Sequence, residues 1–194
     1  MASAAKIVQQ DSATHAVGKD FCRIFEQDMD RLYLLSLLLT AEHGRAERCF
    51  AEGLQDSAHS PGVFREWAHS WARRMIVQNA IQIVRPQPAP SSASNRATGH
   101  GTERPEIAAV LALPAFERFV FVMSVLERYS DKECALLLDS TRGEVVEARF
   151  RALQAIAAAA ESHRSAACSG ERVPQEVAGL AMKVESVPLL ATLP

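Results

Sequence analysis

Apolar residues recur at i, i+3 and i+4 through most of this chain, a spacing that gathers them on one face of an α-helix. The pattern predicts a first helix from about Asp20 to Thr40, with Phe21, Ile24, Phe25, Met29, Leu32, Leu35, Ser36 and Leu39 inward. A second follows from Arg45 to Leu54 on Ala46, Cys49, Phe50 and Leu54, and a third from Val63 to Val84 on Phe64, Trp67, Ala68, Trp71, Met75 and Gln78. Later in the chain, Phe119, Val120, Met123 and Leu126 define a helix from about Ala115 to Tyr129. Ser130 then caps a shorter helix, with Glu133 three residues on to complete a capping box and Cys134, Leu137 and Leu138 inward. After a turn at Asp139-Ser140-Thr141, a last helix runs from about Arg142 to Ala158, with Val145, Ala148, Ala152 and Ile156 on its inner stripe. The expected fold class is all-α, two small helical domains joined by a flexible linker.

The breaks between these helices set the organisation. Residues 1–19 are small and polar and read as a frayed leader ahead of a first domain, 20–84. Glu42-His43-Gly44 interrupts that domain once, and Gln55 to Gly62, with Asp, Ser, Pro and Gly, reads as a loop within it. Residues 85–105 carry four prolines and little hydrophobicity, the composition of a linker. The second domain spans 106–160. Beyond it, 161–194 has only scattered apolar residues and reads as a loose tail, with a short helix around Gln175 to Val184 and a final apolar stretch, VPLLATLP. No internal repeat is visible.

Composition narrows the function classes. A chain of 194 residues that is 48% hydrophobic is too apolar to be disordered throughout and long enough for one ordinary core or two small ones. Its apolar runs fall far short of the roughly 20 residues of a membrane span. No basic start followed by an apolar stretch opens the sequence, so a cytoplasmic location is expected. Cys22, Cys49, Cys134 and Cys168 have no C-x-x-C spacing and suggest small core residues, with Cys168 exposed in the tail. The six histidines form no metal-ligand set with them, so neither a metal nor another cofactor is expected. With no Gly-rich phosphate loop, H-E-x-x-H or nucleophile elbow, an enzyme is not expected.

Helix, turn and helix between Leu113 and Ile156 have the form of a helix-turn-helix, whose last helix would lie in the DNA major groove. The same stretch resembles region four, the promoter-reading domain, of the small extracytoplasmic-function sigma factors of the sigma-70 family. The residues that carry the resemblance are Leu113-Pro114, Glu117-Arg118, Val120-Phe121, Leu126-Glu127, Tyr129-Ser130, Glu133, Ala135, Leu138, Val145 and Arg151-Ala152. Upstream, the stretches starting at Leu32 and Val63 resemble region two, which docks on the polymerase and opens the strands. There Ala46-Glu47 echo the family's acidic motif, and Phe64, Trp67, Ala72 and Arg73 echo its "F..WL..IAR". The two patterns in this order cover roughly residues 20 to 160.

The resemblance implies core RNA polymerase and promoter DNA as partners, with an anti-sigma factor as a further one. Duplex contacts fall to Arg142, Glu144, Val145, Arg149 and Arg151, polymerase contacts to Glu47 and Glu52, and the melted strand to Trp71, Arg73 and Arg74. Trp67 is expected in the core, whereas Trp71 is equally suited to the core or to stacking on unpaired bases. Charge complicates this reading. From Pro105 to Ser165 there are seven basic and nine acidic residues, an unusual balance for a module that binds DNA alone. In the clamp-docking stretch the family's "DAEDLVQE" aligns with Arg45 to Glu52, where arginines replace two acids. A tether to polymerase would supply the missing affinity by raising effective concentration. The alternative is a diverged sigma-like interaction protein that binds polymerase or an anti-sigma factor without promoter activity. A helix-turn-helix regulator acting alone as a dimer is a third reading, and the negative charge of its domain argues against it.

Overall fold

A computed structural model of the chain describes residues 14–88 and 104–169, and only the backbone of 166–169. Among the described residues the regular structure is helical, in the order α1 (Gly18–Gln27), α2 (Met29–Thr40), α3 (His43–His59), α4 (Ala68–Val84), α5 (Pro105–Leu111), α6 (Ala115–Phe121), α7 (Asp131–Leu137) and α8 (Arg142–Ser169). A 3₁₀ turn, Arg65–Trp67, leads into α4, and a π turn, Val122–Leu126, extends α6. No helix among these residues is long and apolar enough to cross a membrane. The expected leader 1–19, linker 85–105 and tail 161–194 lie largely outside the described residues, including the short helix expected at 175–184.

The apolar spacing located the helices better than their ends. What reads as one helix from Asp20 to Thr40 is broken at Asp28, where ψ turns to 21° and the side chain points to Nδ1 of His69 on α4, 3.0 Å away. Helix α3 continues past Leu54 through the residues expected as a loop, because nothing breaks it before Ser60-Pro61-Gly62. The Ser57 hydroxyl donates to Gly53 O at 2.7 Å within this last stretch. Val63 and Phe64, expected as the start of a helix, instead lie beside the first described residues: Ala16 N–H donates to Val63 O at 2.7 Å, and His15 and Phe64 pair as an isolated bridge. Helix α5 was not foreseen. Pro105 sits in its first turn, where the missing N–H costs nothing, so the last residue of the expected linker starts a helix. Helix α8 outruns its expected end because Ala157 to Ala160 are strong helix formers and neither glycine nor proline follows Ala158 before Gly170.

Burial runs without a gap from one half of the chain to the other. Phe21, Leu39 and Ile76 from the first half join Phe116, Phe119 and Met123 from the second in a single cluster. Helix α2 is the shared element, touching α3 and α4 on one side and α5, α6 and the π turn on the other. At the seam Arg118, 5% exposed, donates from Nε to Leu39 O at 3.3 Å and from Nη1 to Leu113 O at 2.8 Å. Burial pushes its pKa down to about 10, since a buried cation loses hydration that two carbonyls replace only in part. Within the first half, Gly53 lets α3 approach α4 closely: a Cβ there would stand 2.6 Å from Cδ1 of the fully buried Ile76.

Candidate functional site

Two reciprocal caps build the helix-turn-helix. At α7 the Ser130 hydroxyl accepts from Glu133 N–H at 3.3 Å, while Glu133 Oε2 accepts from Ser130 N–H at 2.8 Å, the capping box that the sequence predicts. At α8 a second box repeats the arrangement: Thr141 Oγ1 accepts from Glu144 N–H at 3.2 Å, and Glu144 Oε2 accepts from Thr141 N–H at 2.7 Å. Both carboxyls are held below the usual range. For Glu133 the Ser130 hydroxyl is the main cause, and for Glu144 it is the Thr141 backbone N–H. Between the helices Asp139 takes a left-handed conformation, φ 48°, and Leu138 and Val145 are buried beneath the turn.

The residues expected on duplex DNA separate into different environments. Arg142 is exposed at the first turn of α8 and, among the described residues, makes no ion pair. Glu144 is committed to the cap. Val145 is fully buried, so it belongs to the inner stripe and offers no surface to a duplex, a correction to its place among the contacts. Arg149 grips Asp131 of α7 with both Nη atoms, one of them at 3.4 Å. Arg151 donates to Glu117 at 3.1 Å and to Glu147 at 2.6 Å. Beyond Arg142, the outer face of α8 shows Val146, Phe150 and Leu153, with Phe150 61% exposed. Their i, i+4, i+7 spacing makes one apolar stripe. The same spacing stands in the sequence, where it competes with the inner stripe of Val145, Ala148 and Ala152.

On α3, Glu47 is exposed and makes no ion pair among the described residues, whereas Glu52 accepts from Arg48 Nε at 2.8 Å. One of the two acids expected on polymerase therefore has its charge compensated locally.

The third set, Trp71, Arg73 and Arg74, lines a cavity of about 420 Å³ where α4 meets the segment after the π turn. Trp71 is half-buried and donates from Nε1 to Ser60 Oγ at 3.0 Å. Trp67, expected in the core, is 58% exposed: the 3₁₀ turn swings it out of the α4 stripe, against the edge of Phe64 at 5.2 Å. Arg73 donates to Glu127 Oε1 at 2.7 Å and so joins the two halves. The far wall, Glu127, Arg128 and Tyr129, was missed from sequence, since nothing in a linear pattern announces a contact between residues 54 positions apart. The backbone there departs from helical form twice. Five residues of π turn widen the end of α6, and Arg128 sits at φ 60°. No family model, curated protein or solved structure matches this chain.

Proposed function

We propose that the chain is a sigma factor of the extracytoplasmic-function type in the sigma-70 family, which binds core RNA polymerase and directs it to promoters. The observation that carries this reading is the pair of capped helices. Helix α8 starts from its own capping box after a short turn, its inner stripe is sealed on the body, and its first turn is free to approach a groove. On this reading Arg142 is the foremost duplex contact. Arg149 and Arg151 orient α8 through Asp131 and Glu117, Arg151 also pairs with Glu147 one turn away on the same helix, and both arginines reach phosphate only by exchanging those partners. Glu47 meets the polymerase, and Trp71, Arg73 and Arg74 meet the opened strand. Of the three arginines named for the duplex, Arg142 alone stands outside an ion pair among the described residues, which favours action on a polymerase tether over independent binding.

The test is protection of a promoter fragment by the chain mixed with core polymerase. Protection should weaken as salt rises, and Arg142→Ala should weaken it further. A chain that ignores core polymerase would end this reading.

The outward stripe of Val146, Phe150 and Leu153 favours a second one, in which this helix face meets a protein and promoter activity is lost. Under it, Phe150→Asp abolishes capture of polymerase or an anti-sigma factor, and Arg142→Ala changes nothing.

A further inference from the structure

We infer that the cavity between α4 and the segment after the π turn binds a nucleoside phosphate, with the base against Trp67 and the phosphate between Arg74 and Arg128. This inference goes beyond the promoter reading and needs neither polymerase nor a promoter. The volume, about 420 Å³, falls within the roughly 300–1,000 Å³ of small-molecule sites.

Four other polar side chains of the lining, Arg73, Glu127, Glu133 and Trp71, are already engaged, while Ser70 and Tyr129 add hydroxyls to it. Arg73 is bonded to Glu127 at 2.7 Å, Glu133 to the Ser130 hydroxyl at 2.7 Å, and the Trp71 indole to Ser60 at 3.0 Å. Among the described residues Arg74 and Arg128 make no ion pair, Arg74 sharing only a longer-range attraction with Glu133, and this leaves two guanidiniums on the cavity to receive an anion. Both are exposed and lie on opposite walls, Arg74 on α4 and Arg128 after the π turn. Trp67 supplies an indole face more than half open to solvent, the kind of surface on which a base stacks whatever its identity. A planar aromatic that also bears phosphate satisfies both features, whereas an inorganic anion uses only one.

The backbone supports this choice. The π turn and the left-handed Arg128 are both uncommon, and both shape the same wall. An occupant would touch both halves of the chain and hold them together.

Fluorescence reads the site directly, because the chain has only 2 tryptophans and both line this cavity. Adenosine 5′-diphosphate titrated into the full chain should quench emission to saturation, with matching heat by calorimetry. Adenosine alone and pyrophosphate alone should each bind at least ten times more weakly. Arg74→Ala combined with Arg128→Ala should cost at least tenfold in affinity while leaving the far-ultraviolet circular dichroism unchanged, as both side chains are on the surface. Trp67→Phe should remove most of the quenching. The absence of saturable binding at millimolar nucleotide, or equal affinity in the double arginine variant, would overturn the inference. Tighter binding of a single-stranded hexanucleotide than of the diphosphate would also overturn it, reassigning the site to a nucleic-acid strand. None of these results depends on whether the chain binds polymerase.

Discussion

Arg73 on α4 and Glu127 beyond the π turn stand 2.7 Å apart, and theirs is an ion pair between the two halves of the chain. The two ends differ in setting: the Arg73 side chain is 54% exposed and that of Glu127 only 9%. Removing the arginine therefore strands a carboxylate that water reaches poorly. Arg73→Ala should lower stability by about 1 kcal/mol, the upper part of the range for pairs with one exposed partner. A double-mutant cycle with Glu127→Ala, followed by urea unfolding, measures the coupling. Strict additivity would mean that the pair contributes nothing.

The caps predict a response to acid. Glu133 and Glu144 have folded-state pKa values below their ordinary ones, Glu133 chiefly through the Ser130 hydroxyl and Glu144 chiefly through the Thr141 backbone N–H. Asp20, which accepts from Val17 N–H, is lowered in the same way. With the folded value below the unfolded one, the stabilising contribution is complete above the ordinary carboxylate range and fades as pH falls through the folded values. Carboxyl titration followed by nuclear magnetic resonance should place all three below their peptide values. Ser130→Ala should cost about 1 kcal/mol in chemical unfolding and raise the Glu133 pKa toward its peptide value. A pKa for Glu133 at the peptide value in the unmodified chain would refute the arrangement.

Gly53 permits no side chain without disturbance. Its added Cβ would meet Ile76 Cδ1 at 2.6 Å and Cγ1 at 3.3 Å, and Ile76 is fully buried, so its side chain moves only at the expense of its neighbours in the core. Gly53→Ala should destabilise the chain by roughly 1–3 kcal/mol, the cost of overpacking a filled core, despite the better helix propensity of alanine. Gly53→Ala combined with Ile76→Val should recover part of the loss. Thermal melts of the parent chain and the two variants decide it, and a gain in stability for the single variant would sink the argument.

Cysteine chemistry should divide by position. Burial pushes the thiols of Cys49 and Cys134 up to about 11, so at neutral pH each is both protonated and shielded. Cys22, by contrast, is exposed. Brief treatment of the folded chain with iodoacetamide, followed by peptide mass spectrometry, should find Cys22 modified and the other two untouched until denaturant is added. Early labelling of Cys134 would mean that the helix-turn-helix opens readily.

How far the sequence could be read depended on whether a feature was local. The Ser130–Glu133 cap and the inner stripe of Val145, Ala148 and Ala152 are set by residues three or four apart, and both stand as expected. Cys22 and Trp67 illustrate the opposite case. Periodicity fixes the line a residue occupies but not which lines a neighbour covers, and both proved exposed. Arg149 and Arg151 were legible as cations, yet their acidic partners Asp131 and Glu117 lie 18 and 34 positions away, so their engagement could not be seen. The same holds for the cavity. Trp71, Arg73 and Arg74 of its α4 wall were legible as a set, while its other wall depends on a π turn that no spacing of apolar residues reveals.

Arg118 gives the seam between the halves an unusual energetic character. A guanidinium kept from water and bonded, among the described residues, to the Leu39 and Leu113 carbonyls would recover a full hydration shell if the halves came apart. That recovery offsets part of the cost of wetting Phe116 and its neighbours, so this boundary resists parting less than its apolar content suggests.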